Sequence, residues 1–142
     1  MTPLRRRVLQ AILYEVIAIA LVGPLLGLLF DRPVASSLGL AALLSTIALI
    51  WNCVYNALFE AWEARQVSRE RTLSRRILHG LGFEGGLVFL LLPVMSWGLD
   101  ISMRAAFLAN LGLLAFFFVY AVAFTWAFDT VFGPPASATQ RR

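Results

Sequence analysis

Four long apolar runs dominate the chain: roughly Val8–Phe30, Leu38–Phe59, Ile77–Leu99 and Ala105–Phe128. Each reaches the about 20 apolar residues with which a helix crosses a hydrocarbon core of ~30 Å. In lipid a spanning segment must satisfy its own backbone, which a helix does and a lone strand does not. The expectation is an all-α integral membrane protein of four transmembrane helices. Composition excludes the alternatives. Of 142 residues, 60% are hydrophobic and 14% charged, whereas soluble domains carry about 25% charged residues. A globule of this size has too much surface to hide so much apolar material, and disordered chains are poor in it. Four spans leave no room for a separate soluble domain.

The breaks between the runs carry turn chemistry or charge. Asp31-Arg32-Pro33 and Asp100-Ile101-Ser102 predict short loops, Glu63–Arg76 a longer polar one, and Gly133-Pro134-Pro135 ends the last helix before a Ser/Thr/Ala tail. Arg5-Arg6-Arg7 followed by an apolar run and Ala18-Ile19-Ala20 imitates a secretory signal. The run continues to Phe30, however, and Glu15 interrupts it, so it is expected to be the first membrane helix. All twelve basic residues are arginines. The face bearing the N-terminus, the Glu63–Arg76 loop and the C-terminus holds Arg5, Arg6, Arg7, Arg65, Arg69, Arg71, Arg75, Arg76, Arg141 and Arg142, against Arg32 and Arg104 opposite. That bias predicts cytoplasmic termini. It also accounts for the net charge of +4 without a nucleic-acid partner. One cysteine, Cys53, and one histidine, His79, exclude an intrachain disulfide and argue against a metal or haem site, so no cofactor is expected. With no nucleophile–base pair in view, the chain does not read as an enzyme.

The chain is internally duplicated. A shift of 69 residues lays Arg6, Arg7, Leu9, Glu15, Leu21, Pro24, Asp31, Leu44 and Phe59 on Arg75, Arg76, Leu78, Glu84, Leu90, Pro93, Asp100, Leu113 and Phe128, with Glu60 on Asp129 and no gap. Two apolar hairpins resemble one another by composition alone, but that does not bring two intramembrane acids, a proline and an arginine pair into register. The predicted units are residues 1–66 and 67–142, each one helix pair. They are related by an axis along the membrane normal, as in parallel transporter repeats.

Glu15 follows Arg7 by eight residues, about 12 Å along a helix of ~1.5 Å rise, which sets it well inside the hydrocarbon. Glu84 stands at the same remove from Arg76. A carboxylate there costs at least ~2.5–3.5 kcal/mol unless protonated, paired or hydrated. Both are therefore candidate proton-coupling and cation-binding groups. The structural alternative is a buried carboxyl that joins helices, and for Glu84 simple neutralisation by Arg75, Arg76 or His79. Asn52, Asn56 and Glu60 recur every four residues on the second helix with Tyr55 beside them, a polar stripe that must avoid lipid, and Asn110, Tyr120, Thr125 and Asp129 are its sparser counterpart on the fourth. Asn52, Tyr55, Asn56 and Trp126 are candidate substrate contacts, and interhelical hydrogen bonding accounts for each asparagine equally well. Glu60, Asp129 and His79 are candidates for a gate or for interfacial pairing with arginines. Gly82-x-x-x-Gly86 suits close helix contact, within the protomer or across a homodimer seam. The aromatic run Phe116-Phe117-Phe118 with Tyr120, Phe124, Trp126 and Phe128 reads as lipid-facing bulk, or as an aromatic wall for a flat cation.

These residues resemble those of the proteobacterial antimicrobial compound efflux (PACE) transporters, built of two tandem bacterial transmembrane pair domains. The similarity runs from Arg6 to Pro134. It rests on Trp51-Asn52-x-x-Tyr55-Asn56-x-x-Phe59-Glu60, on Arg75 or Arg76 with His79 and Gly82-Phe83-Glu84-Gly85-Gly86-Leu87, on Phe124-Thr125-Trp126-Ala127-Phe128-Asp129, and on Glu15 with its upstream arginines. Gln10 stands where the family has a histidine, Tyr14 where it has a phenylalanine, and Phe124 where it has a tyrosine. The resemblance implies a multi-pass exporter of the bacterial inner membrane. It would exchange protons for small cations such as chlorhexidine, acriflavine, putrescine and cadaverine, with Glu15 as the coupling residue. Two other classes remain at this point. A small-multidrug-resistance exporter also uses a first-helix glutamate, but its chain is shorter and lacks the duplication. A membrane scaffold or partner subunit would use its polar residues only for packing.

Overall fold

The computed structural model describes residues 1–68, 70 and 72–135. Four helices follow one another: α1 (Pro3–Leu29), α2 (Val34–Ala64), α3 (Leu73–Leu99) and α4 (Met103–Phe132). All four are long and apolar enough to cross a membrane, and the described residues contain no strand. Each helix runs beyond its apolar stretch at the end that carries the termini, so the 65–72 connection is shorter than the polar stretch expected there. Arg69, Arg71, Arg141 and Arg142 of the arginine count, and the Ser/Thr/Ala tail beyond Pro135, lie outside the described residues.

Local chemistry sets the ends. Thr2, Thr72 and Ser102 occupy the N-caps of α1, α3 and α4, where their hydroxyls accept from the backbone N–H of Arg5, Arg75 and Ala105 at 3.3, 3.3 and 3.1 Å. Such caps satisfy donors that a helix start leaves bare. Gly133, with φ of +83°, halts α4 before the two prolines. Within each hairpin the corner is the same structure twice. Asp31 and Asp100 are left-handed, with φ of 53° and 52°, and the next N–H reaches back to the helix: Arg32 to the Gly27 carbonyl at 2.8 Å, Ile101 to that of Ser96 at 3.1 Å. This is the Schellman arrangement, with an aspartate in the position that glycine usually fills. Pro24 and Pro93 also coincide under the 69-residue shift, each inside its helix, where it removes one intrahelical hydrogen bond.

Consecutive helices pack side by side in the order α1–α2–α3–α4, and α4 returns to α1 through long side chains. The apolar core gathers at the end with the tight corners. Val22, Leu26, Leu40, Ala41, Leu44, Leu91, Met95, Leu99 and Ala106 form one buried cluster there, and Met95 and Ala106 are completely buried. Arg32 ties the two corners together, donating through Nε and Nη2 to the Leu99 carbonyl at 3.2 and 3.0 Å and lying 3.3 Å from Asp100. That carbonyl is one of the acceptors a helix end leaves unpaired, and a cation suits its negative pole.

Candidate functional site

Above the packed end the bundle encloses a cavity of about 310 Å³ with walls from all four helices. Glu15 enters it from α1, Asn52 from α2, Glu84 from α3 and Asn110 from α4; the rest of the wall is largely aliphatic, with Tyr14, Phe83 and Phe117 as its aromatic members. The two intramembrane carboxyls of the duplicated chain thus face one space. A mostly apolar pocket with a few convergent polar groups is the usual form of a small-molecule site.

The surroundings of the two acids differ. Ser45 of α2 donates its hydroxyl to Glu15 Oε2, a hydrogen bond that orients the carboxyl group. The position related to Ser45 by the repeat is Leu114, and among the described residues nothing hydrogen-bonds or pairs with the Glu84 carboxylate. The arginines and histidine that could have neutralised it are engaged elsewhere or exposed. His79 Nε2 is 2.8 Å from Asn56 Oδ1, Arg75 donates to the Ser68 carbonyl at 3.0 Å and lies over Trp62, and Arg76 is exposed.

The remaining expected residues divide between two seams related by the pseudo-axis. In the α2/α3 seam Trp51 Nε1 donates to the Phe83 carbonyl at 3.0 Å, and the Tyr55 hydroxyl to that of His79 at 2.9 Å. In the α4/α1 seam Tyr120, the repeat partner of Trp51, donates to the carbonyl of Tyr14, the partner of Phe83, at 2.8 Å. The ring pair Tyr55–Phe83 and its image Phe124–Tyr14 both meet edge-on, with centroids 5.7 and 5.2 Å apart. Gly82 and Gly86 serve inside the protomer: a Cβ on either would collide with the Tyr55 hydroxyl or the Trp51 ring. The α1 counterparts of these glycines are Leu13 and Ile17, and α1 and α4 approach each other less closely than α2 and α3 do.

Asp129 closes the α4/α1 seam at the terminal end. Arg6 donates to it at 2.6 Å and to the Gly133 carbonyl at 2.8 Å, with its guanidinium 5.0 Å from the Phe128 ring centroid. Glu60, the repeat partner of Asp129, is exposed and has no ion-pair partner among the described residues. Asn52 Oδ1 accepts from the Asn56 amide at 2.7 Å, so of the α2 stripe only Asn52 reaches the cavity, and Tyr55 and Asn56 act at the seam. Trp126 lies outside the cavity and is 72% exposed. It stands two residues from both Phe124 and Phe128, roughly opposite them around a helix of ~3.6 residues per turn. Among the described residues no group of three or more His, Cys, Asp and Glu could hold a metal ion.

One polar cavity residue was not anticipated. Ser45 precedes Asn52 by seven residues, so extending the α2 stripe backwards by two turns would have reached it. Asn110, from the sparser polar set of the fourth helix, reaches the cavity as expected of a polar residue at that depth.

A family model described as chlorhexidine efflux transporter (BTP) matches the chain twice, over residues 2–65 and 71–134, and the two matches begin and end 69 residues apart. The chain is 36% identical over 126 residues to a short-chain diamines transporter of Vibrio parahaemolyticus, covering 88% of this chain and 89% of that one. It is 34% identical over 127 residues to a short-chain diamines transporter of Acinetobacter baylyi, covering 89% of each. A third protein of that name, from Acinetobacter baumannii, is 32% identical over 137 residues, covering 94% of each. No solved structure matches.

Proposed function

Because the chain belongs to the BTP family of chlorhexidine efflux transporters, a transporter of cationic compounds and not an enzyme, we propose that it exports organic cations in exchange for protons, with Glu15 as the exchanging group. The observation that carries this reading is the single cavity that Glu15 and Glu84 share within the four-helix bundle. A carboxyl in a low-dielectric space holds either a proton or a cation, since both compete for one negative charge. Binding one ligand therefore helps release the other. Ser45 keeps the Glu15 carboxyl group oriented while the site exchanges ligands. Two carboxylates in one space suit a substrate with two positive charges, and the diamine names of the relatives accord with that. Short-chain diamines and bis-cationic biocides are the proposed substrate class.

The arginine bias supports a terminal end on the cytoplasmic side of a bacterial inner membrane. The apolar core around Met95 and Leu99 then lies between the cavity and the periplasmic side. Two protons in per dication out moves no net charge. One proton per dication would work against the membrane potential, at ~2.3 kcal/mol per charge per 100 mV. A homodimer would need a surface other than Gly82 and Gly86, which are occupied by Tyr55 and Trp51.

Purified protein in proteoliposomes tests the reading. An imposed pH gradient should drive accumulation of 1,4-diaminobutane, and substrate titration should release protons from the wild type and not from Glu15→Gln. Gradient-driven transport at wild-type rate by Glu15→Gln would place the carrier elsewhere. No gradient-dependent movement of any cation by the wild type would favour a scaffold.

A further inference from the structure

Of the two asparagines that line the cavity, neither used by the mechanism above, Asn52 is bonded to Asn56 and Asn110 is not bonded to any side chain. Asn110 is 8% exposed and lines the cavity, and among the described residues no donor or acceptor reaches its carboxamide. Its repeat counterpart on α2 is Ala41, so neither the duplication nor the packing of that layer calls for an amide. The amide atoms are not among the fully enclosed unpartnered polar atoms and stay accessible, while a small apolar residue at the same level serves in the other hairpin. The unpaired group is therefore suited to a ligand.

Its depth indicates which part of a ligand. Ala41 precedes Ser45 by one turn on α2, and Ser45 holds Glu15. The repeat sets Asn110 in the same relation to Leu114 on α4. The amide thus stands roughly 6 Å beyond the level of the carboxylates, toward the packed end. A four-carbon spacer between two amines spans about the same 6 Å, with single bonds of ~1.5 Å. We propose that Asn110 is the distal-amine subsite: one ammonium of a diamine sits at the Glu15 and Glu84 carboxylates, and the other donates an N–H to Asn110 Oδ1. The proposal rests on the cavity being the transport site. A neutral acceptor recognises the second amine without a full opposite charge, so the amine's charge remains balanced by the carboxylates one turn away. A monoamine cannot reach both levels and leaves the amide unpaired, the condition under which a polar site discriminates most sharply.

The test is calorimetric titration of the full-length protein in detergent with 1,4-diaminobutane and with n-butylamine. Asn110→Ala copies the residue that the other hairpin already carries at this layer. It should weaken diaminobutane binding about tenfold, the scale of one charge-assisted hydrogen bond, and leave n-butylamine within about twofold. Asn110→Asp keeps an acceptor and should hold diaminobutane at least as tightly as the wild type does, a result that a purely structural amide would not produce. Equal weakening of both amines in Asn110→Ala, or no weakening of either, overturns the subsite while leaving the cavity's function standing. Failure of the wild type to bind either amine removes the proposed function and the subsite together.

Discussion

Glu15 and Glu84 occupy equivalent positions in the two hairpins and face one cavity, yet Ser45 donates to the first and Leu114 stands where a donor to the second would be. The seams differ in the opposite sense. α3 carries Gly82 and Gly86 and lets the α2 aromatics settle onto its backbone, while α1 carries Leu13 and Ile17 and meets α4 through Tyr120 and Arg6. Duplication supplied two copies of one frame, and single side chains then separated their tasks. In the first copy the acid is held by a neighbour and the seam behind it is loosely joined. In the second the acid is bare and the seam is tightly packed.

The largest expected effect breaks the equivalence of the acids. Glu15→Gln should lower pH-gradient-driven transport of both mono- and dications by about a hundredfold or more, equal to ~2.7 kcal/mol of barrier. Glu84→Gln should lower dication transport about tenfold and spare monocations, whose single charge the Glu15 carboxylate balances alone. Matching losses for both charge classes in Glu84→Gln would make the acids interchangeable. Next come the seams. Gly86→Leu pushes into the Trp51 ring and should destabilise the protein by about 1–3 kcal/mol, whereas Ile17→Gly should cost no more than about 1 kcal/mol of helix propensity. Thermal unfolding in detergent measures both, and an equal drop for the two would mean that the seams are equally close. Asp129→Asn removes the charge that Arg6 grips and should cost about 1.5 kcal/mol, read in the same assay; Glu60→Gln, without an ion-pair partner, should leave the midpoint within error. The smallest effect sharpens the contrast between the acids. Ser45→Ala should slow transport about fivefold, as expected for one hydrogen bond of ~1 kcal/mol, and an effect of that size from Leu114→Ala instead would reverse the assignment.

Most of the architecture is written in the order of residues. The four spans, the corners at Asp31 and Asp100 and the 69-residue duplication follow from apolar run length and from charges that recur in register, properties that survive without knowledge of neighbours. The shared depth of Glu15 and Glu84 is legible for the same reason, since rise per residue fixes depth along a straight helix. Partners across helices are not. That His79 turns to Asn56, that Arg6 reaches Asp129, and that Tyr55 and Asn56 serve a seam while Asn52 reaches the cavity depend on the rotation of each helix about its axis. Weakly amphipathic helices leave that rotation undetermined. Trp126 shows the limit most plainly: its motif is conspicuous in the sequence, and its side chain points away from the cavity.

The twin corners bear on how such a molecule can move. Each turns within three or four residues, is closed by a backbone bond from Arg32 or Ile101, and is joined to its twin through the Arg32 guanidinium. Little rotation can be absorbed at so short a joint, so the two arms of each hairpin swing as one lever. The 65–72 stretch is the only long span of chain between the levers, and it lies at the opposite end from the corners. Rocking one lever on the other about the corner end would spread the terminal end widely and the corner end hardly at all, with the Arg6–Asp129 clasp as the first contact to part.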